Sequence, residues 1–273
     1  MTLTIHEKIE QRSPEWFEQR RGIVTASVVG QLITTRKLSA IDYPCPECEA
    51  PAQNPCRGKK GQEITTKHTA RADEARRNSS APILEVASND DSRRLTTLLV
   101  SERVTGWSYP PGFISDDMLR GIEHEPIARD KYAAEKGATV TEVGIMIEDK
   151  WGFKIGFSPD GLVESEGLLE IKCPRPAAHM KTIIADAVPP EHMPQLQAGL
   201  LVSGRKWIDF VSFCAGMPLF HKRIYPDPTW QRVIVEAVRR FEDNARELAR
   251  IYHENAAGLT PTERILEPEE IIV

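Results

Sequence analysis

Apolar residues along this chain recur at two spacings, every second position in some stretches and every third or fourth in others, which separates strands from helices. Phe153 to Val163 reads as an apolar strand that turns at Pro159-Asp160-Gly161, and Leu168 to Lys172 as the strand that returns beside it. Alternation on the second strand sends Glu170 and Lys172 to one face and Ile171 to the other. Lys206 to Phe213 and Leu219 to Tyr225 alternate as two further strands joined near Gly216-Met217-Pro218. Helical spacing is expected from Val28 to Ile33 behind an N-cap at Thr25, from Arg94 to Val104, and from Met193 to Val202. Another helical segment starts at a cap on Asp116 or Asp117 and runs past Glu125 to Lys136, with Ile122, Ile127, Ala128 and Tyr132 as a rough stripe. Pro126 has no N–H to donate, so a kink or a fresh start is expected there. Asp227 caps a last helix reaching about Asn255, whose Trp230, Val233, Ile234, Val238, Phe241, Leu248 and Ile251 face inward. The tail from Leu259 holds Pro261, Pro268 and four acids and reads as poorly ordered. These elements add up to one α/β domain with a mixed central sheet flanked by helices.

Composition changes this picture little. With 273 residues and 40% hydrophobic content, the chain can bury one sizeable core. A net charge of −5 is unusual for a protein that binds nucleic acid by bulk charge, yet a local field and a set of metal-binding acids are compatible with it. No apolar run approaches about 18 residues, so no membrane span is expected. The stretch Met1 to Glu7 lacks the basic and apolar regions of a signal peptide, which places the protein in the cytoplasm.

The cysteines add a second feature. Three of the five lie at Cys45, Cys48 and Cys56, and His68 follows them. Two cysteines in C-x2-C spacing can grip one side of a tetrahedral Zn²⁺, and Cys56 with His68 would close the site. Pro44, Pro46, Pro51, Asn54, Pro55 and Gly58 around them are loop formers that build no core, so a structural zinc is the expected staple. The alternative is a disordered, reduced insertion; a disulfide is not expected in a reducing cytosol. Cys173 and Cys214 read as buried thiols beside the sheet, and His124, His179 and His221 as poorer ligands. Residues 57–77 carry Arg57, Lys59, Lys60, Lys67, Arg71, Arg76 and Arg77 against Glu63, Asp73 and Glu74. This basic module could grip duplex DNA, dock a partner or another subunit, or form a solvated charged face. Residues 78–92 read as a flexible linker, which divides the chain into a core of 1–36 and 93–258, an inserted module of 37–92 and a tail of 259–273.

The candidate chemistry sits at Gly156-Phe157-Ser158-Pro159-Asp160-Gly161 and Glu170-Ile171-Lys172. Two neighbouring carboxylates repel unless a cation lies between them, and Mg²⁺ prefers oxygen ligands. Asp160 and Glu170 would hold that metal, and Lys172 would orient or deprotonate the attacking water. An ordinary solvated hairpin with a Glu-Lys pair is the competing reading. Glu125, at the Pro126 irregularity, could supply a third carboxylate, with Glu123 as competitor. Near the N-terminus, the expected helix start at Thr25 and Ser27 suits an anion, and Arg20 or Arg21 adds a guanidinium that matches phosphate.

In combination, S-P-D-G followed by E-I-K-C-P resembles the PD-(D/E)xK nucleases, and more narrowly the lambda exonuclease and YqaJ viral recombinase family. Three further segments fit that family in order: Trp16 to Ser27, Met118 to Glu125, and His192 to Gln197. The resemblance implies a restriction-endonuclease-like core in which Glu125, Asp160, Glu170 and the backbone carbonyl of Ile171 bind Mg²⁺, with Mn²⁺ as a substitute. It makes Glu125, Asp160, Glu170, Lys172 and Gln195 the catalytic set, and Arg20, Ser27 and Ser158 the binding site for a 5′-terminal phosphate. Cys45 to Arg71 is similar to short zinc-binding modules of actinobacterial phages and their hosts. The activity implied is 5′-to-3′ exonuclease digestion of double-stranded DNA ends, leaving 3′ single-stranded overhangs for phage recombination in the host cytoplasm. A homotrimeric ring and a single-strand annealing partner are implied with it. A PD-(D/E)xK endonuclease, a RecB-like nuclease and a catalytically silent adaptor for DNA ends are the alternatives.

Overall fold

Two larger sheets, rather than one, carry most of the strand pairing among the described residues, and the chain passes between them at Ser158-Pro159-Asp160. The structure is a computed structural model that describes residues 3–78, 82–108 and 115–263. The N-terminal part contains β1 (Thr4–His6), α1 (Pro14–Arg20), β2 (Val24–Thr25) and β3 (Ile33–Arg36). An excursion follows with β4 (Cys56–Arg57), β5 (Glu63–Ile64) and α2 (Thr69–Arg77). It returns through β6 (Ile83–Val86) to α3 (Asp90–Thr105) and α4 (Asp116–Lys136). The remainder is β7 (Val140–Thr141), β8 (Ile145–Glu148), β9 (Ile155–Phe157), β10 (Gly161–Val163), β11 (Gly167–Lys172), α5 (Pro176–Ala185), α6 (Met193–Ser203), β12 (Trp207–Ser212), β13 (Phe220–Ile224) and α7 (Pro228–Ala256).

The first sheet has the order β1-β8-β9-β2 and the second β13-β12-β11-β10-β7. Only β11 and β12 run parallel in the second sheet, which makes it mixed as expected. The apolar run from Phe153 to Val163 is therefore two strands in two sheets. Pro159 cannot donate to a ladder, and the chain leaves β9 just before it. The tight turn falls instead at Glu164-Ser165-Glu166, where Glu164 has φ +47°. Gly161 then pairs with Leu169, so the register continued one step sets Asp160 opposite Glu170.

Alternation along β11 sorts its side chains between two cores. Leu168 packs with Leu196, Phe210 and the α7 residues Ile234, Val238 and Phe241, whereas Leu169 and Ile171 pack with Ala128 and Tyr132 of α4. The last helix matches its expected bounds, capped by Asp227, which accepts the N–H groups of Thr229 and Trp230. Ile251, expected inside, is 41% exposed because α7 runs past the core. Helix α4 is continuous through Pro126, and its cap is Ser115 rather than either aspartate. Ile127 faces outward and Arg129 takes the buried place beside Ala128.

Other expectations also change. Thr25 ends a strand, and Val29–Leu32 is one 3-10 turn without a side-chain cap, followed by β3. Ile83–Val86, expected within a linker, pairs antiparallel with Ile33–Arg36, and α3 begins four residues ahead of Arg94 with its cap at Asn89. Cys214 is buried, but Cys173 is only half-buried. The proposed tail lies mostly outside the described residues. Among these, no helix is long and apolar enough to cross a membrane.

Candidate active site

The two-sheet corner brings two clusters together. On one side, Arg20 at the end of α1 donates to Ser27 Oγ at 3.0 Å, Thr25 Oγ1 at 3.2 Å and Ser158 Oγ at 3.5 Å. Its guanidinium lies 4.0 Å over the Trp16 ring, whose Nε1 donates to Ser158 Oγ at 2.9 Å. Burial pushes the Arg20 guanidinium down to about 10, with Glu102 acting upward, so it remains a cation at neutral pH. Arg21 turns away and donates to the Gly106 carbonyl at 2.9 Å, which leaves Arg20 as the arginine of this cluster. No regular helix starts at Thr25 or Ser27, so the expected helix dipole is not there to favour an anion. The positive charge comes from Arg20, and the hydroxyls of Thr25, Ser27 and Ser158 surround it.

Asp160, two positions after Ser158, opens the other side. Its Oδ2 accepts the Ile171 N–H at 2.6 Å. Glu170 Oε1 accepts from Lys172 Nζ and from Gln195 Nε2, each at 2.6 Å, and Lys172 also donates to Gln195 Oε1 at 3.1 Å. Gln195 reaches the strand because α6 packs close to β9: a Cβ on Gly199 would lie 2.7 Å from the Phe157 ring. Glu125 on α4 accepts from Arg129 at 2.6 Å and from Arg12 at 3.4 Å, while Glu123 is exposed. Arg129 also donates to the Asp160 carbonyl at 2.8 Å, tying α4 to the corner. Burial first, then the charges of Glu170 and Glu125, holds the Asp160 carboxyl well above the usual range. Burial also raises Glu170, against the pull of Lys172. Burial works against the charge on Lys172, but Glu170 and Asp160 outweigh it and keep the ammonium above its ordinary value.

This cluster fits a divalent cation. Glu170 Oε2 is buried with no hydrogen-bond partner among the described residues, a costly state for a carboxylate oxygen that a bound cation would relieve. Among the described residues, these three carboxylates are not gathered into a ready-made ion site as the cysteine and histidine quartet is.

The expected zinc ligands do gather. Cys45, Cys48, Cys56 and His68 place one ligand atom each within 4.8 Å of one another. His68 Nδ1 lies 3.4 Å from Cys45 Sγ, and Nε2 lies 3.5 Å from Glu47, the outer carboxylate that commonly orients a metal-binding histidine. Arg71, read as part of a basic surface, is instead fully buried. It donates to the carbonyls of Tyr43, Asn54, Ile41 and Pro51 and to Cys56 Sγ at 3.4 Å. Three thiolates, a neutral imidazole and Zn²⁺ would carry one net negative charge, which suits a buried guanidinium that has no carboxylate partner among the described residues. The fit to a tetrahedral structural ion is good.

A sequence model of the YqaJ-like viral recombinase domain matches residues 15–206, a span that includes both sides of the corner. The chain belongs to this family. Among solved structures, the fold is similar to an alkaline exonuclease from Laribacter hongkongensis, with 29% sequence identity and a TM-score of 0.63 over 91% of this chain and 100% of that one. The same exonuclease in complex with dAMP matches over the same shares at 28% identity and a TM-score of 0.64. Comparison with curated proteins finds no match. Within the family match, sequence reasoning missed Arg129, although its position four residues after Glu125 puts both on one helix face. Nothing in the local pattern around Trp16 announces its bond to Ser158.

Proposed function

We propose that this protein is a metal-dependent nuclease that digests double-stranded DNA from 5′ ends, releasing mononucleotides and leaving 3′ overhangs for recombination. Membership in the YqaJ-like viral recombinase family and likeness to an alkaline exonuclease support a nuclease acting on DNA. One observation supports the finer reading above all others. Ser158, in the Arg20 cluster, and Asp160, in the acid cluster, are separated by a single proline at the corner between the two sheets. A terminal phosphate held by Arg20, Ser27 and Ser158 would present the adjoining phosphodiester to Asp160 and Glu170. The related exonuclease binds dAMP, a nucleotide of the kind that stepwise hydrolysis releases.

Glu125, Asp160, Glu170 and the Ile171 carbonyl would hold Mg²⁺, or Mn²⁺ in its place. When bound, the metal supplies Lewis-acid stabilisation of charge on the phosphoryl oxygens. Lys172 is a donor in this network, which suits it to orienting the attacking water. Gln195 keeps Lys172 and Glu170 aligned. Cys45, Cys48, Cys56 and His68 would hold a structural Zn²⁺ in the inserted module. Family resemblance adds duplex ends, an annealing protein and a homotrimer as partners. Release of nucleotides from linear duplex in Mg²⁺, with none in EDTA and none from closed circles, is the expected result. Circle cutting would favour an endonuclease, and tight end binding without hydrolysis an adaptor.

A further inference from the structure

Arg12 has φ +72°, in the left-handed region where glycine is at ease and a side chain is strained. The segment is fixed on both sides of it. Gln11 Nε2 donates to the Val143 carbonyl at 3.2 Å and the Pro159 carbonyl at 2.9 Å. Ser13 caps α1 by accepting the Trp16 N–H at 3.2 Å. Strained residues of this kind persist where the surroundings enforce them, and they concentrate at working sites. Here the strain sets an arginine at the wall of a cleft of about 680 Å³ shared with Arg120, Ile171, Lys172 and Arg175.

The one ion pair Arg12 makes among the described residues is with Glu125 Oε2, at 3.4 Å, and its side chain is 49% exposed. Glu125 does not need it. Arg129, with a side chain only 10% exposed, already holds Glu125 Oε1 at 2.6 Å. A long, exposed contact of this kind contributes little to stability, so it does not explain a strained backbone. A guanidinium with spare donors beside a site that would bind a polyanion does explain it.

We propose that Arg12 binds a backbone phosphate of the DNA strand being cut, close to the scissile bond. This rests on the nuclease reading above. In the free protein the guanidinium rests on Glu125. When DNA enters, it exchanges the carboxylate for a phosphate, whose oxygens match its fork of N–H groups, and Glu125 Oε2 is released. Arg12 lies three positions ahead of the residues that the family model matches.

The test compares wild type, Arg12→Gly and Arg12→Lys as full chains. Glycine relieves the backbone and removes the guanidinium, so its two effects should have opposite signs. The melting temperature should stay level or rise. Affinity for a linear duplex in EDTA should fall about tenfold or more, the usual scale for losing a charged hydrogen bond. The slope of log affinity against log salt should become shallower by about 0.9, the value for one phosphate contact on duplex DNA. In Mg²⁺, kcat/KM should fall in parallel, and Arg12→Lys should recover part of each loss. An Arg12→Gly protein with affinity and kcat/KM within about twofold of wild type would overturn the proposal, since a phosphate contact of this kind is worth more than that. So would lost activity accompanied by a lower melting temperature and an unchanged salt slope. Asp160→Asn, run alongside, separates the two readings: continued cleavage by that variant counts against the acid cluster, whereas the EDTA affinities judge Arg12 alone.

Discussion

Gln195 holds Glu170 by one oxygen and leaves the other bare. Its Nε2 donates to Glu170 Oε1 at 2.6 Å, the oxygen that Lys172 also occupies, while Oε2 is buried without a partner among the described residues. A carboxylate fixed in this way is pre-aimed, and its free oxygen is where a cation gains most. Adding Ca²⁺ or Mg²⁺ should therefore raise the melting temperature, with a stabilisation of about 2.7 kcal/mol when the metal is at a hundred times its Kd. Asp160→Asn should stabilise the metal-free protein by removing a buried charge and its repulsion with Glu170 and Glu125, and should abolish the metal-induced shift. Equal shifts in variant and wild type would place the metal elsewhere.

Lys172→Ala should lower the hydrolysis rate by about 100- to 10,000-fold, the range for a positioned proton-handling group, while duplex binding persists. Gln195→Ala should cost less, because Lys172 still reaches Glu170 at 2.6 Å without it. Single-turnover kinetics with a duplex-binding assay separate these outcomes. An unchanged rate in Lys172→Ala would remove the lysine from the mechanism.

Arg20 contacts Ser27 and Ser158, and both hydroxyls would share the terminal phosphate with it. Arg20→Ala should reduce the preference for 5′-phosphorylated over 5′-hydroxyl ends by about 10- to 100-fold, the worth of a charged hydrogen bond. Its rate on 5′-hydroxyl ends should change little. Comparing initial rates on the two substrates measures this, and an unaltered ratio would detach Arg20 from end recognition.

Arg71 links the zinc quartet to four carbonyls of its surrounding loops. Metal analysis should find a single zinc per chain, released by a strong chelator with loss of protease resistance in the excursion between Arg36 and Ile83. Arg71→Ala should reproduce that loss even with zinc present, since each buried carbonyl left unpaired costs about 1–3 kcal/mol. A zinc-free protein with a protected excursion would show that the cysteines have another purpose.

Long elements with a strong local period were legible from sequence. Asp227 and the apolar spacing through Phe241 gave α7 almost residue for residue, and Glu170 and Lys172 face as their alternation requires. Three features were hidden because their cause is remote. Val28 to Ile33 has helical apolar spacing, but Ile33 to Arg36 is drawn into a ladder with Ile83 to Val86, about fifty residues away. Arg71 looks like a surface charge until the loops fold over it. The sheet change at Pro159 leaves no mark in the hydrophobic pattern, since both strands are apolar. At the site, the S-P-D-G and E-I-K stretches revealed Asp160, Glu170 and Lys172. Glu125 needed helix and family reasoning, and Arg12 and Arg129 emerged only from three-dimensional contacts.

The decisive experiment is Mg²⁺-dependent digestion of a linear duplex labelled separately at each end, with a 5′-phosphate or a 5′-hydroxyl, beside a closed circle. Stepwise loss from the 5′-phosphorylated end, a slower start at the hydroxyl end and an intact circle are expected. Digestion from the 3′ end, or cutting of the circle, would refute a 5′-end nuclease built on Ser158 and Asp160.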